Sequence, residues 1–432
     1  MFVQGVSVAV SCLASFPMTS AAQAAPDSDL ETRIKLLENE LRSVKRELAE
    51  RDEKAEPVSE NGKNDAIVDD SAWREIEIGE TKVEIGGFVD LDVHVSSYSD
   101  GDVPSGSIGR DLYLPQLTPV SPDRQSSGVT YTDFSAKTSR INLATVTPIG
   151  ERAISTRIEL DFLLSPGGNE RISNSYNPRL RRAYVDLDGW RIGQDWTTFQ
   201  TLQAMPESAS FFAPAESQVF VRQPVIRYTT GNLQLALENP NTNIEGVGLT
   251  GDGALPDAVL RYNFRGKSYD VALSALFRQL SYRKAGVKAK AFGWGVSLAG
   301  RFYIGDDDIR FSLQGGEGIG RYVGLGIAPA AVLNAASTDI VPIPVLSGNI
   351  AYRWVLGSTS ISGGYSFIRI DNDKKLTAPT ATAGSQSVFV ALTRRLTPKL
   401  SIGAEFLYGQ REIESEFQGD ISRFTFSVRQ GF

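Results

Sequence analysis

The sequence predicts an all-β chain, a 16-stranded antiparallel transmembrane β-barrel preceded by a helical coiled-coil extension. Three observations predict it. From Val83 onward, apolar and polar residues alternate with period two over stretches longer than the roughly five or six residues of a soluble strand. The links between those stretches alternate short and long. Ahead of them, a heptad seam and then an aperiodic stretch follow an apolar leader.

Bulk composition hides this. The chain has 432 residues, 41% hydrophobic and 22% charged, the profile of an ordinary globular protein. Mean hydropathy is −0.16, and beyond the leader no run approaches the roughly 18 apolar residues of a spanning helix, which excludes a helical membrane protein. A net charge of −7, from 44 basic and 51 acidic residues, argues against a nucleic-acid partner. One cysteine, one histidine and three methionines leave almost no ligands for metal or thiol chemistry, so no cofactor is expected.

Residues 1–24 read as a signal peptide, with small residues at Ser20-Ala21-Ala22-Gln23-Ala24 and cleavage after Ala24. No basic residue precedes the apolar run, so Met1 reads as a late start. A short buried helix is the other account. Cleavage leaves no cysteine in the mature chain.

Residues 25–56 carry Leu30, Ile34, Leu37, Leu41, Val44 and Leu48 at spacings 4, 3, 4, 3, 4, a seam of about three heptads. Arg33 to Glu38 has the Arg-apolar-x-x-apolar-Glu form of short trimerisation motifs, so a homotrimer with a periplasmic coiled coil is expected. A lone amphipathic helix is the alternative, although a helix of this length is marginal in water by itself. Residues 57–82 lose all periodicity and read as a linker.

The barrel is expected over 83–432. In the first strand Val83, Ile85, Val89, Leu91, Val93 and Val95 alternate with Glu84, Asp90, Asp92 and His94. The candidate strands are 83–97, 134–148, 152–164, 179–188, 190–197, 219–229, 232–239, 257–264, 268–281, 287–304, 308–316, 347–356, 360–371, 385–396, 400–410 and 420–432. Short links such as Arg265-Gly266-Lys267 and Gly357-Ser358-Thr359 have turn chemistry. The long links are 98–133, 165–178, 198–218, 239–256, 282–286, 317–346, 372–384 and 411–419. Tight turns on one side, long loops on the other and an even strand count describe a bacterial porin in the outer membrane, its apolar face against lipid. The last strand closes on Phe424, Phe426, Val428 and Phe432, resembling the C-terminal aromatic signal read by the outer-membrane assembly machinery.

Five blocks carry a family resemblance: Thr132-Asp133-Phe134-Ser135-Ala136-Lys137-Thr138-Ser139-Arg140, Asn174-Ser175-Tyr176-Asn177-Pro178-Arg179-Leu180-Arg181, Gly193-Gln194-Asp195-Trp196-Thr197-Thr198-Phe199, Val219-Phe220-Val221-Arg222-Gln223 and Ala236-Leu237-Glu238-Asn239-Pro240. With the coiled coil and barrel around them, the chain resembles the DcaP-like family of trimeric outer-membrane porins. The resemblance implies passive uptake of small, mostly anionic solutes, dicarboxylates in particular. Asp195 departs from the family pattern, where relatives carry a neutral hydroxyl residue, and so does Pro224. An extra carboxylate near a constriction would weaken anion preference.

Read without the family, the polar strand face carries Arg140, Arg157, Arg182, Arg261, Arg278, Arg301, Arg310, Arg353, Arg395 and Arg423 against Asp90, Asp92, Glu159, Asp161, Asp186, Glu238, Asp270 and Glu405. Rings of charge set the ion preference of a wide pore, and the planar arginine fork suits carboxylates. The other account is that these arginines pair with lumen acids and brace the wall. The loop 198–218, with Met205-Pro206-Glu207 and Phe211-Phe212, is apolar enough to fold inward as a constriction, framed by Gln194, Asp195, Thr197 and Glu207. A surface or trimer-contact loop is its alternative. Arg222 and Arg227 cannot both face inward on a regular strand, so Arg222 joins the selectivity set and Arg227 is left out, unless Pro224 marks a bulge.

An outer-membrane hydrolase would have to build its triad on His94 alone, with no nucleophile elbow in the sequence. A structural barrel gripping the cell wall through its coiled coil is the other competing class. Gly315-Gly316-Glu317-Gly318-Ile319-Gly320 lacks dinucleotide-loop spacing and reads as a flexible surface loop. The acidity has an address: 25–82 holds 10 basic and 17 acidic residues, leaving 34 of each sign for the barrel.

Overall fold

A computed structural model describes residues 74–432 except 122–126, 164–172, 213, 252 and 285. The expected leader, the heptad seam from Leu30 to Leu48 and the linker before 74 lie outside the described residues.

Strong alternation becomes strand wherever a turn lets the chain reverse. In chain order the strands are β1 (Arg74–Ile78), β2 (Thr81–Tyr98), β3 (Val129–Ser135), β4 (Arg140–Ile149), β5 (Arg152–Asp161), β6 (Arg179–Leu187), β7 (Trp190–Trp196), β8 (Arg222–Thr230), β9 (Leu233–Glu238), β10 (Thr242–Ile244), β11 (Gly248–Thr250), β12 (Asp257–Gly266), β13 (Tyr269–Lys284), β14 (Val287–Ile304), β15 (Asp307–Glu317), β16 (Ala331–Leu333), β17 (Ile340–Pro342), β18 (Pro344–Leu356), β19 (Thr359–Ile370), β20 (Thr382–Arg395), β21 (Leu400–Ile413) and β22 (Gln418–Gly431). Each barrel strand pairs antiparallel with the next, and β2 pairs with β22 from Phe88↔Gly431 to Tyr98↔Ile421, which closes the sheet. Because β3 and β4 both lie on β2, they form one stave broken at 136–139. The closed sheet therefore has sixteen staves. Among the described residues no helix is long and apolar enough to cross a membrane.

The tight turns use glycine where the chain must take positive φ, as at Gly150 (61°) and Gly357 (62°). Outward rows are apolar and open, for example Val89 (59% exposed), Ile226, Leu237 and Val390, the pattern expected of a lipid-facing band. Aromatic residues mark the short-turn end at Trp190, Phe264, Phe302 and Trp354, and the long-loop end at Phe277, Phe292 and Trp294.

Several details differ from the sequence expectation. The ladder starts before 83, because β1 folds back on β2 from Ile78↔Thr81 to Arg74↔Ile85. The link 282–286 is tight rather than long, since β13 and β14 stay paired up to Lys284↔Val287. The long links 239–256 and 317–346 build a second, four-stranded sheet in the order β11-β10-β16-β17. The glycine-rich run 315–320 is no flexible surface loop: Ile319 is fully buried. Its glycines admit close approach, since a Cβ on Gly316 would strike the Trp294 carbonyl and one on Gly320 the Ala328 carbonyl.

Candidate functional site

The segment from Thr197 to Val221 leaves β7 and turns inward. Met205, Phe211, Phe212 and Ala215 are buried, and leaving such side chains in water would cost about 1.5–3 kcal/mol for each of the larger ones. Polar anchors fix its course across the lumen. The Thr198 N–H donates to Glu238 Oε1 (2.7 Å), and Arg310 on β15 donates to the Met205 carbonyl (2.7 Å). Glu207 accepts from Arg353 Nη1 (3.0 Å), Ser360 and Thr393. Glu405 on β21 accepts from Ser208 Oγ (2.6 Å), Ser210 Oγ (2.8 Å) and the Ala209 N–H (3.1 Å). Glu216 accepts from Ser387 Oγ on β20 (2.7 Å) and from Tyr113 Oη (2.6 Å). The segment thus reaches the wall opposite its own strands.

Two other long loops meet it there. Tyr113 comes from the 99–128 loop, where a helical turn at Ile108–Asp111 is capped by Ser107. From the 318–343 loop, the Gly324 N–H donates to the Gln218 carbonyl (3.0 Å), and Tyr322 packs edge-on against Phe199. Burial pushes the Tyr113 hydroxyl well above its ordinary value, reinforced by the Glu216 carboxylate. Burial also raises Glu216 itself, against the hydrogen bonds it accepts. Glu207 goes the other way: burial pulls it up, but the donors Ser360, Thr393 and Arg353 hold it below the ordinary glutamate range.

The wall beside the segment is arginine-rich. A register shift between Glu159 and Leu160 opposite β6 turns the neighbours Arg181 and Arg182 both inward. Asp161 receives Arg179 (2.6 Å) and Arg181 (2.8 Å), while Glu159 receives Arg181, Arg182 (3.9 Å) and Arg140 (3.7 Å). Asp195 on β7 is enclosed by Arg182 (2.7 Å), Arg191 (2.7 Å) and Arg227 (3.3 Å). Towards the short-turn end, Asp308 gathers Arg310 (2.7 Å), Arg353 (2.7 Å) and Arg301 (3.6 Å).

Other expected lining residues have structural partners. Arg278 donates to Asp257 (3.1 Å) and to the carbonyls of Gly318 (2.7 Å) and Asn241 (2.5 Å), tying two loops to β13. Arg261 donates to Asn263 (2.8 Å) and the Gln200 carbonyl. Glu238 holds Thr198 and Gln223. Arg157 is half-buried on β5, opposite Tyr184. Gln194 donates to the Leu180 and Arg181 carbonyls at the bulge, and Thr197 Oγ1 accepts from the Phe199 N–H (3.2 Å).

On β8 the parity falls the other way from the sequence expectation. The strand is regular through Pro224, with no bulge, and Gln223, Val225 and Arg227 face inward. Arg227 donates to Thr198 Oγ1 (2.9 Å), whereas Arg222 lies on the alternate parity at the strand's start. There its guanidinium stacks over Trp196 (4.7 Å) and Phe220 (5.2 Å). His94 is buried, with Nδ1 3.0 Å from Thr425 Oγ1. Among the described residues no carboxylate orients it.

The family model for the DcaP outer membrane protein matches residues 76–432. The chain belongs to the DcaP outer membrane protein family. Membership and the closed barrel place it in the outer membrane of a Gram-negative cell. No curated protein matches the sequence. Among solved structures, the outer membrane channel DcaP of Acinetobacter baumannii superposes with a TM-score of 0.68 at 18% identity, covering 82% of this chain and 99% of that one. OmpT of Vibrio cholerae gives 0.50 at 11% identity, over 83% and 100%. These likenesses establish the porin-type barrel fold.

In this DcaP-family barrel the sequence reading misses Arg179, Arg181, Arg191 and Arg227 on the lumen side, along with Asp308 and Glu216. Arg181 escapes because a bulge breaks period two, whereas Asp308 shares the parity of Arg310 on the strand expected over 308–316, which is the signal that finds it. The signal for Arg191 is its alternation with Trp190 and Ile192, both outward.

Proposed function

We propose that this chain is a porin that lets small hydrophilic solutes diffuse across the outer membrane, favouring anions such as dicarboxylates. The arginine excess carries the reading. Nine arginines (Arg140, Arg179, Arg181, Arg182, Arg191, Arg227, Arg301, Arg310, Arg353) converge on six carboxylates (Glu159, Asp161, Asp186, Asp195, Glu207, Asp308). Together the six acids fix the nine arginines in place without neutralising all of them. Planar guanidinium forks then present donors to a passing carboxylate, and charge rings in an aqueous lumen set ion preference. The inward segment 197–221 narrows the path past these groups, with Gln194, Asp195 and Thr197 where it leaves β7 and Glu207 near its middle.

A homotrimer fits the uneven wall. The strands β6 to β9 hold 9, 7, 9 and 6 residues, against 16 and 18 in β13 and β14. Six to nine tilted residues rise only about 15–23 Å, less than the ~25 Å apolar band of an outer-membrane barrel. Neighbouring copies would cover that low, apolar side. A cleaved leader at 1–24, a coiled coil at 25–56 and recognition of Phe432 by the assembly machinery complete the proposal.

Planar-bilayer recording tests it. Wild type should conduct with a reversal potential on the anion side. Arg140→Gln with Arg179→Gln should shift it towards cations, and folding should survive because Glu159 and Asp161 each keep Arg181. No conductance, or unchanged selectivity, would sink the reading.

A further inference from the structure

The hairpin β13–β14 joins strands of 16 and 18 residues by a tight link, and its outward face changes character abruptly at the top. From Phe302 to Phe292 the outward row of β14 runs through Leu298, Val296 and Trp294, all open to the surroundings. Ten residues span roughly 33 Å along a strand and about 25 Å along the axis of a barrel tilted near 40°. Phe302 and Phe292 therefore bracket one apolar band thickness. Phe292 stacks on Phe277 (centroids 6.4 Å apart), giving an aromatic rung at the upper boundary.

The next two outward positions of β14 are Lys290 and Lys288, both exposed, with Arg283 directly opposite Lys288 and Lys284 at the tip. Each step of two residues adds about 5 Å along the axis, so the ammoniums lie roughly 5 and 10 Å beyond the aromatic rung. Lysine is otherwise scarce: the barrel has 8 against 26 arginines, and three of the eight sit on this one hairpin. Among the described strand residues of β12 to β15, the carboxylate that comes next to this face in the ladder is Glu317, opposite Trp294. It lies four residues below Lys290, roughly 13 Å along the strand. On the neighbouring β12, Asp257 faces inward onto Arg278.

We infer that the outward face of this hairpin is a binding site for the phosphate groups of an anionic lipid in the leaflet on the long-loop side. Phe277 and Phe292 would lie along the top of its acyl chains, and Lys288 and Lys290 would hold its headgroup phosphates. The geometry matches the chemistry of such a lipid, which is apolar below and doubly charged within a few ångströms above. Lysine suits this place because a compact, mobile ammonium needs no fixed angle of approach. The pore arginines are not involved.

The test titrates the purified full-length protein with bisphosphorylated lipid A in detergent and reads retention by native mass spectrometry. Dephosphorylated lipid A and inorganic phosphate serve as controls. Wild type should retain the phosphorylated lipid, and Lys288→Gln with Lys290→Gln should weaken retention about thirtyfold, from about a fivefold contribution for each lysine near an anionic surface. Arg at both positions should restore it, while Lys374→Gln with Lys375→Gln, in another long loop, should leave it unchanged. Equal retention by the glutamine variant or of the dephosphorylated lipid would overturn the inference. So would inorganic phosphate competing as tightly as the lipid, or a glutamine variant whose only change is in conductance, which would mark the hairpin as a funnel for solutes.

Discussion

Asp195 illustrates what a residue's surroundings do to its charge. Taken alone, a carboxylate beside the inward loop argues against an anion path. Enclosed by Arg182, Arg191 and Arg227, with 2% of its side chain exposed, it instead orders three cations and presents almost no negative surface. Asp308 has the same design, and its removal gives a sharp expectation. Asp308→Asn leaves Arg301, Arg310 and Arg353 without their shared counter-charge. Breaking a buried pair costs on the order of 3–5 kcal/mol, so the variant should unfold at lower urea concentration while its reversal potential moves further towards anions. Lower stability with unchanged selectivity would mean that Asp308 is only a brace. Neither hub is legible from residue identity: Arg191 and Arg310 share the strand of their acid, but topology alone brings in the other arginines from neighbouring strands. Asp195 and Arg227 are 32 positions apart, and Asp308 and Arg353 are 45.

At the scale of the element, the strands are legible because outward apolar rows are a period-two signal that little else produces. Legibility fails where that period is interrupted. At β6 the bulge turns two neighbouring arginines to one side. At β8 the choice between Arg222 and Arg227 rests on which parity continues past Pro224, and the outward exposure of Ile226 decides it. The inward course of 197–221 is foreshadowed by its aromatic content, but its anchors on β15 and β18 to β21 are not. Glu216 makes one anchor sensitive to pH. Burial raises its pKa above the ordinary 4.5, so the folded arrangement binds the proton more tightly than the released one does. Its contribution is complete below about pH 4.5 and declines as pH rises from there towards the raised value. Glu207, held low, titrates beneath that window. Single-channel flicker should therefore increase from pH 4 to pH 7, and Glu216→Gln should flatten that dependence. Flicker that grows on acidification would contradict the assignment.

For the whole molecule, closure follows from an even count of alternating strands and from loops sorted by side. The sequence reading therefore identifies the barrel, although it divides the second stave differently and starts the first one late. Net charge misleads until it is located, since the excess acid lies in 25–82 and the barrel is balanced. Balance, in turn, does not reveal that arginines converge while several acids stand elsewhere as loop anchors. The low wall at β6 to β9 makes a prediction about assembly. A chain lacking residues 25–56 should still migrate as a trimer on semi-native gels, because the short apolar strands remain to be covered. A monomer would assign the assembly to the heptads instead.

The small hairpin at the start of the barrel has a bearing on how the ring is sealed. β1 occupies the edge of β2 from Thr81 to Ile85, and β22 takes up the same edge only from Phe88. With β1 on the lower rungs of that ladder, the last strand has no room to slide towards the short-turn end. A slip of one residue would turn Phe424 and Phe426 into the water-filled interior. β1 acts as a doorstop: by holding the lower edge of β2 it sets the stagger of the finished cylinder.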